Sequence, residues 1–390
     1  MNRDYMTAIG WSQKIVCQIE VAWTKLQRNI FIALKASSSR KSPGSDGIPV
    51  EFYIKTFDII HRQLNLILNE AVHGNFPPAF VEGVIVLVKK KGNDTTIKGY
   101  RPISLLNCDY KLLSRIIKNR LDQILKEHTV LNSAQKCSNG RRNIFQATLS
   151  IKDRIAFYKE HRRCGKLISF DLDHAFDRVD RRFLFRTMGN MGFNPRLIDL
   201  LEKIGRLSTS KILINGHIST AFPIERSVRQ GDPFSMQLFV LYLHPLISNL
   251  QNICNGPDDL VAAYADDITI ITSSPHKIES VKNAFATFER RAGARLNLQK
   301  TLSVDIGQVS PRNRIQVSWL NTENKLKILG IVYVNSIRLM SKLNWDSLVS
   351  QFGHQLWNHR TRTLSIHQKI SLLNTYVTSK IWYVTSILSC

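Results

Sequence analysis

The sequence predicts an α+β protein, and three observations predict it. Short runs such as KLISFDLD (166–173), and GVIVLV (83–88) and ITIIT (268–272) with their many β-branched residues, read as strands. Longer stretches with apolar residues at helical spacing are interleaved with them along the chain. At the centre, LVAAY (260–264) and ITIIT flank Asp266-Asp267, which places an acidic pair at the tip of a β-hairpin.

Taken in order, residues 1–36 form an amphipathic helical lead, with Ile15, Val16, Ile19, Trp23 and Leu26 on one stripe. A basic loop rich in Ser, Gly and Pro (37–49) leads to a helical segment, VEFYIKTFDIIHRQLNLILNEAV, and a turn at Asn75-Phe76-Pro77-Pro78. The strand at 83–88 enters the loop Lys89-Lys90-Lys91-Gly92. From Asn107 a long helix buries Leu113, Ile116/Ile117, Leu121 and Ile124/Leu125 and leaves Lys111, Arg115, Lys118 and Lys126 largely outside that stripe. The strand at 166–173 precedes a helix near DRVDRRFLFRTM, and residues 210–224 form a hairpin turning at Asn215-Gly216. An apolar helix spans 233–250 and another helix 276–292; short strands follow at 303–306 and 326–334, and the basic tail, 341–390, is helical.

Charge narrows the function. Against 30 Asp and Glu stand 54 Lys and Arg, a net charge of +24 in 390 residues. A surplus of that size fits a polyanionic partner, nucleic acid before an acidic membrane. Residues 101–165 hold 14 Lys and Arg against five acidic residues, so this stretch carries more than its share. The membrane option is weak, because the longest apolar run, LFVLYLHPLI (238–247), is too short to span and is broken by His244 and Pro245. Six scattered cysteines lack zinc spacing and read as reduced thiols of an intracellular protein.

Two strand ends carry acids in apolar surroundings: Asp171 after LISF, and Asp266-Asp267 after VAAY. If both strands share a sheet, three carboxylates converge, and burial with mutual repulsion raises at least one pKa. Such hard oxygen donors suit Mg²⁺, with Mn²⁺ as a substitute. A pair of these ions about 3.5–4 Å apart serves in-line phosphoryl displacement. The bland alternative is a solvated hairpin turn.

The surroundings weigh against the bland reading. Tyr264-Ala265-Asp266-Asp267 resembles the Tyr-x-Asp-Asp hairpin of reverse transcriptases; FDLDHAFDRVD (170–180) looks like their first catalytic motif, and RSVRQGDPFS (226–235) is similar to their Arg-Gln-Gly-x-Pro-x-Ser segment. GYRPISLLNCDYKLLSRIIKNRL (99–121), SPGSDGIPVEFYIK (42–55) and RTLSIHQKISLLNTYV (362–377) resemble the LINE-type, non-LTR retrotransposon group in particular. The resemblance implies a right-hand polymerase: a helical lead (1–40), fingers (41–165), an antiparallel-sheet palm (166–335) and a helical thumb (336–390). It implies an RNA-directed DNA polymerase with Mg²⁺ (two ions) held by Asp171, Asp266, Asp267 and the Leu172 carbonyl. Its partners would be an RNA template, a DNA primer and deoxynucleoside triphosphates, in the nucleus and cytoplasm.

Carried over position by position, Arg101 grips the triphosphate with Lys89 as its companion, Lys90 and Lys91 competing for that role. Phe176 crowds a ribose 2′-hydroxyl, besides any place in the core. Gln230 and Gly231 lie against the nascent base pair, and Lys300 lies near the triphosphate. KILGIVY (327–333) resembles the strand that grips the primer end. Trp345, Trp357, Arg360, Arg362 and Trp382 read either as buried helix packing or as a duplex-binding face. Two departures stand out: Cys137-Ser138 replace Gly-Phe in a finger segment, AQKCSNGRRNIFQA, where Gln135, Gly140 and Arg141 remain and template contact is expected. Asp232 adds negative charge beside the nucleotide site. With no endonuclease motif or Cys/His knuckle, the chain reads as a polymerase core or a truncated copy. Competing readings are an inactive remnant that only binds RNA and an RNA-dependent RNA polymerase, the latter disfavoured by Phe176.

Overall fold

The computed structural model of the chain describes residues 26–90, 96–127, 130–138, 142–360 and 362–388. Most of the expected helical lead, Trp23 included, lies outside the described residues, as do Lys91, Gly92, Gly140 and Arg141. Helices α1 (Leu26–Lys35), α2 (Val50–Lys55) and α3 (Phe57–Val72) come first, then β1 (Gly83–Lys89), β2 (Tyr100–Leu106) and α4 (Cys108–Glu127). Next are α5 (Ile144–Glu160), β3 (Cys164–Phe170), β4 (Leu172–Asp173), α6 (Arg181–Asn190) and α7 (Pro195–Leu207). The middle holds β5 (Thr209–Ile214), β6 (His217–Ile218), β7 (Phe222–Pro223), α8 (Ser235–Ile253), β8 (Leu260–Tyr264), β9 (Asp267–Thr272) and α9 (Pro275–Ala292). Short strands β10 (Arg295–Leu296), β11 (Leu302–Gly307), β12 (Asn321–Thr322), β13 (Leu326–Ile328) and β14 (Ile331–Tyr333) precede α10 (Ile337–His359), α11 (Ile366–Leu373) and α12 (Ser379–Thr385). The mixture is α+β, as the sequence predicts.

The chain divides into two units: residues 1–131, 174–245 and 288–294 form the first, and 132–173, 246–287 and 295–390 the second. In the first, the sheet runs β2-β1-β5-β6, with β7 also on β5. The β5–β6 turn has positive φ at both Asn215 (50°) and Gly216 (82°), as a type I′ hairpin requires. Helix α4 buries Leu113, Ile116, Ile117, Leu121 and Leu125 of the expected stripe and leaves Ile124 half-buried. Full burial of each such side chain contributes about 1.5–3 kcal/mol, which is why the stripe decides the helix's orientation.

The second unit is built on a sheet of order β12-β11-β3-β9-β8. Every ladder is antiparallel except β11–β12. Leu167 of β3, Ile271 of β9 and Ile151, Ile155 and Tyr158 of α5 share one buried cluster with residues of β11, β13 and β14. Asn143 caps α5 by accepting the Gln146 N–H. Lys166, in the middle of β3 and 1% exposed, is tolerated because Asp305 takes its ammonium at 2.6 Å and Thr322 at 2.9 Å.

Two strand expectations are corrected. The strand at 166–173 breaks at Asp171, where the chain leaves β9 and pairs with β10 instead. The strand at 326–334 is a hairpin, because Leu329 (φ 49°) and Gly330 (φ 85°) both adopt positive φ and turn the chain.

Candidate active site

The second unit supplies the acids. Phe170 and Ile268 are the last pair of the β3–β9 ladder, and just beyond it Asp171 lies close enough to Asp267 for its charge to raise that carboxyl. Tyr264 pairs with Asp267, leaving Ala265 and Asp266 as a two-residue turn. Ala265 has φ 53° and Asp266 does not have positive φ, the sign pattern of a type II′ turn, whose first central position favours glycine. The strands thus bring Asp171, Asp266 and Asp267 to one sheet end.

Their electrostatics agree with that crowding. Burial pushes the Asp171 carboxyl above the usual carboxylate range; Lys300 pulls it back, while Asp266 and Asp173 push it further up. Burial also raises Asp266, opposed by a hydrogen bond from its own N–H. Asp267 is exposed as a residue, yet desolvation by the protein around its carboxyl, reinforced by Asp266 and Asp171, raises it to about 6.

These oxygens are the donor set a hard divalent ion takes, and their mutual repulsion is what such an ion would relieve. Among the described residues, however, no three His, Cys, Asp or Glu side chains close into a group able to hold an ion by themselves. The acids are neighbours, not a closed cage, and Mg²⁺ ordinarily completes its shell with water and phosphate oxygens. On donor chemistry the residues fit the ion.

Lys300 is placed by the loop after α9. Leu296 pairs with buried Leu172, and the Asn297 N–H donates to the Asp171 carbonyl at 2.9 Å. The Asn297 side chain then accepts the Lys300 N–H at 3.2 Å, and Lys300 Nζ stands 3.8 Å from Asp171 Oδ2.

The first unit holds Lys89, Arg101, Phe176, Gln230 and Gly231. Lys89 faces Tyr100 across the β1–β2 ladder and Arg101 faces Val88, so the alternation of side chains puts Lys89 and Arg101 on opposite faces. The ladder continues through the Lys90 N–H to the Gly99 carbonyl at 2.8 Å, which returns Lys90 to the face of Arg101. Lys90 is also close enough to Asp177 to pull its burial-raised carboxyl down. The phase of the ladder therefore favours Lys90 over Lys89 as the partner of Arg101.

Phe176 stacks on buried Phe239, and its carbonyl accepts the Val228 N–H at 3.1 Å. That bond ties it to the segment bearing Gln230, whose carbonyl accepts the Ser104 N–H at 2.7 Å. Gly231 has φ 116°, and a Cβ there would lie 2.4 Å from the Ser104 carbonyl oxygen, so only glycine fits. Asp232, the added negative charge, is held by hydrogen bonds within the first unit. Its carboxylate accepts from the Tyr110 hydroxyl at 2.5 Å and from Ser114, with Phe234 N–H at 3.1 Å. Asp180, at the end of the FDLDHAFDRVD stretch, caps α6 by accepting the Phe183 N–H.

Gln135 is the residue whose role sequence reasoning missed. Its side chain is spent on the main chain of Ala265, so the expected template contact must come from other atoms of the segment. In the tail, Trp345 packs on the buried cluster, whereas Trp357 and Trp382 are 61% and 72% exposed. Arg360 lies over the Trp357 ring at 3.1 Å. Among the described residues, no helix is long and apolar enough to cross a membrane.

Residues 88–333 match the family model described as reverse transcriptase (RNA-dependent DNA polymerase). The chain is 29% identical over 369 residues to the transposon TX1 uncharacterized 149 kDa protein of Xenopus laevis, covering 90% of this chain and 28% of that protein. It is 24% identical over 371 residues to the RNA-directed DNA polymerase from mobile element jockey of Drosophila funebris (89% and 40% covered). It is 26% identical over 274 residues to the Pol polyprotein from type-1 retrotransposable element R2 of Popillia japonica (68% and 37% covered). The chain thus spans well under half the length of these relatives, which bear out the non-LTR retrotransposon resemblance. Among solved structures, Candida tropicalis telomerase with a fragment of telomeric RNA aligns at 14% identity and a TM-score of 0.49, covering 79% of this chain and 54% of that one.

Proposed function

The chain belongs to the reverse transcriptase family, and from that premise we propose that it copies an RNA template into DNA by extending a DNA 3′-hydroxyl. The observation that carries the proposal is the placement of Asp171 beside Asp267, one residue from Asp266, at the end of adjacent antiparallel strands. The right-hand division into fingers (41–165), palm (166–335) and thumb (336–390) belongs to the same proposal.

The family depends on divalent metal, and we assign to Asp171, Asp266 and Asp267, with the Leu172 carbonyl, the holding of two Mg²⁺ ions. When bound, the ions neutralise charge on the reacting phosphate and acidify the primer hydroxyl. The chain's own residues do the rest. Ionised Asp171, Asp266 and Asp267 would provide the oxygens, although burial raises all three carboxyls above the usual carboxylate range. Lys300 Nζ holds positive charge beside Asp171. Arg101 offers a planar fork suited to two phosphate oxygens. Phe176, braced by Phe239, presents a fixed ring against a ribose 2′-hydroxyl. Partners are nucleic acid strands and nucleotides, as the polymerase family implies; the finer assignment is RNA template, DNA primer and deoxynucleotides.

Primer extension by the purified protein on poly-A with oligo-dT and Mg²⁺ tests the reading. Incorporation of deoxythymidine, lost in Asp266→Asn while RNA affinity stays within about threefold, is the expected result, since affinity comes mainly from Lys and Arg on phosphates. RNA binding without incorporation by the wild type would favour the inactive remnant. Efficient use of ribonucleotides would favour an RNA polymerase.

A further inference from the structure

Gln135 lies just after Ala134, within a segment that docks on β8. The Ala263 N–H donates to the Ala134 carbonyl at 3.0 Å, and the Lys136 N–H donates to the Ala263 carbonyl at 2.8 Å. Between these two bonds the Gln135 side chain, 2% exposed, reaches the hairpin tip. Its Oε1 accepts the Ala265 N–H at 3.1 Å and the Cys137 N–H at 3.0 Å, while Nε2 donates to the Ala265 carbonyl at 3.4 Å. Two main-chain donors on one amide atom identify it as the oxygen, because an NH₂ group there would face donors only. Arg142 braces the same segment, donating to the carbonyls of Asn132 at 2.9 Å and Gln135 at 3.3 Å.

Ala265 is the residue this clasp grips, and it occupies the positive-φ position that favours glycine. Both of its main-chain polar groups are held by one buried amide. The next two residues are Asp266 and Asp267. We propose that Gln135 is a positioning residue for catalysis: its amide holds Ala265 in its left-handed conformation and so sets Asp266 and Asp267 against Asp171. The inference rests on the polymerase reading above. It assigns Gln135 a task within the protein that needs both amide atoms, which a packing role alone would not.

The test uses the full chain with Gln135→Met, which keeps length and loses the polar atoms, and Gln135→Glu, which keeps an acceptor for both N–H groups. Gln135→Met is expected to lower kcat by about 10²-fold, the scale of an ångström-sized misplacement. The KM for deoxynucleotide should stay within about twofold, because the change spares nucleotide contacts. Mn²⁺ binding read by electron paramagnetic resonance should weaken about 10-fold or more, as for lost support of a ligating group. Gln135→Glu should fall between Gln135→Met and wild type, and Ala265→Gly should restore part of the kcat lost in Gln135→Met. Unchanged kcat and unchanged Mn²⁺ binding in Gln135→Met would overturn the proposal. Should that variant lose its cooperative melting transition, Gln135→Glu alone decides by the same two readouts. If the wild type extends no primer, the polymerase reading falls, and the Mn²⁺ measurement still judges Gln135: equal binding in Gln135→Met and wild type rejects its positioning role.

Discussion

Phe176 and Phe239 stack with ring centroids 4.4 Å apart and planes inclined by 14°. Phe239 is fully buried on α8, so the stack anchors a half-exposed ring to a rigid helix. A ring that screens out a 2′-hydroxyl must be unable to swing away, and this contact supplies the restraint. Phe176→Ala should raise ribonucleotide use relative to deoxynucleotide by about 10²-fold, the scale on which a pocket rejects one added hydroxyl. Phe239→Leu should relax the same ratio more weakly, with about 1 kcal/mol of stability lost with the aromatic pair. Competitive incorporation assays and denaturant unfolding read the two effects.

The 3.8 Å approach of Lys300 to Asp171 makes a pH prediction. Lys300 lowers a carboxyl that burial raises. Lys300→Ala should therefore raise the Asp171 pKa and move the acid limb of the pH–rate profile to higher pH. Lys300→Arg should leave the limb near its wild-type position. A profile in Lys300→Ala that overlies the wild type would reject the coupling.

Asp267 makes a prediction about stability against pH and Mg²⁺. Its carboxyl is raised to about 6, above the unfolded value near 4, so the folded state binds its proton more tightly than the unfolded state does. This contribution to stability is complete below the unfolded value and is lost as pH rises through about 6. Without divalent ions, Asp267→Asn should melt at a higher temperature than wild type at pH 7. Mg²⁺ should raise the wild-type melting temperature and raise that of the variant less.

Gly231→Ala combines two penalties: φ 116°, and a Cβ 2.4 Å from the Ser104 oxygen. Backbone strain alone costs about 1–3 kcal/mol, and displacement of β2 at Ser104 adds to it. Urea unfolding should show a loss of about 3 kcal/mol or more. A midpoint equal to wild type would mean the chain relaxes freely around Gln230.

Much of the fold and of the acid cluster was legible because the signals are local. Apolar runs on either side of the acidic pair marked β8 and β9, the Asn215-Gly216 pair marked its hairpin, and helical spacing marked most of the buried stripe of α4. Asp171, Asp266 and Asp267 could be named because the apolar strands around them and the motifs Tyr264-Ala265-Asp266-Asp267 and FDLDHAFDRVD weigh against a merely solvated turn. Local chemistry did not reveal the partners of Asp232: Tyr110 and Ser114, more than a hundred residues earlier, donate to its carboxylate.

What the sequence by itself determined, then, is the α+β class, the strands that end in acids, and the basic surplus, since each depends on residue types at short spacing. The tertiary structure alone decided which faces and partners those residues receive. Ladder phase separated Lys89 from Arg101 and returned Lys90 to its side, and a segment far from the hairpin placed the Gln135 amide on Ala265. The reason is physical: period and turn chemistry act over a few neighbouring residues, whereas register and long-range hydrogen bonds exist only once distant strands have paired.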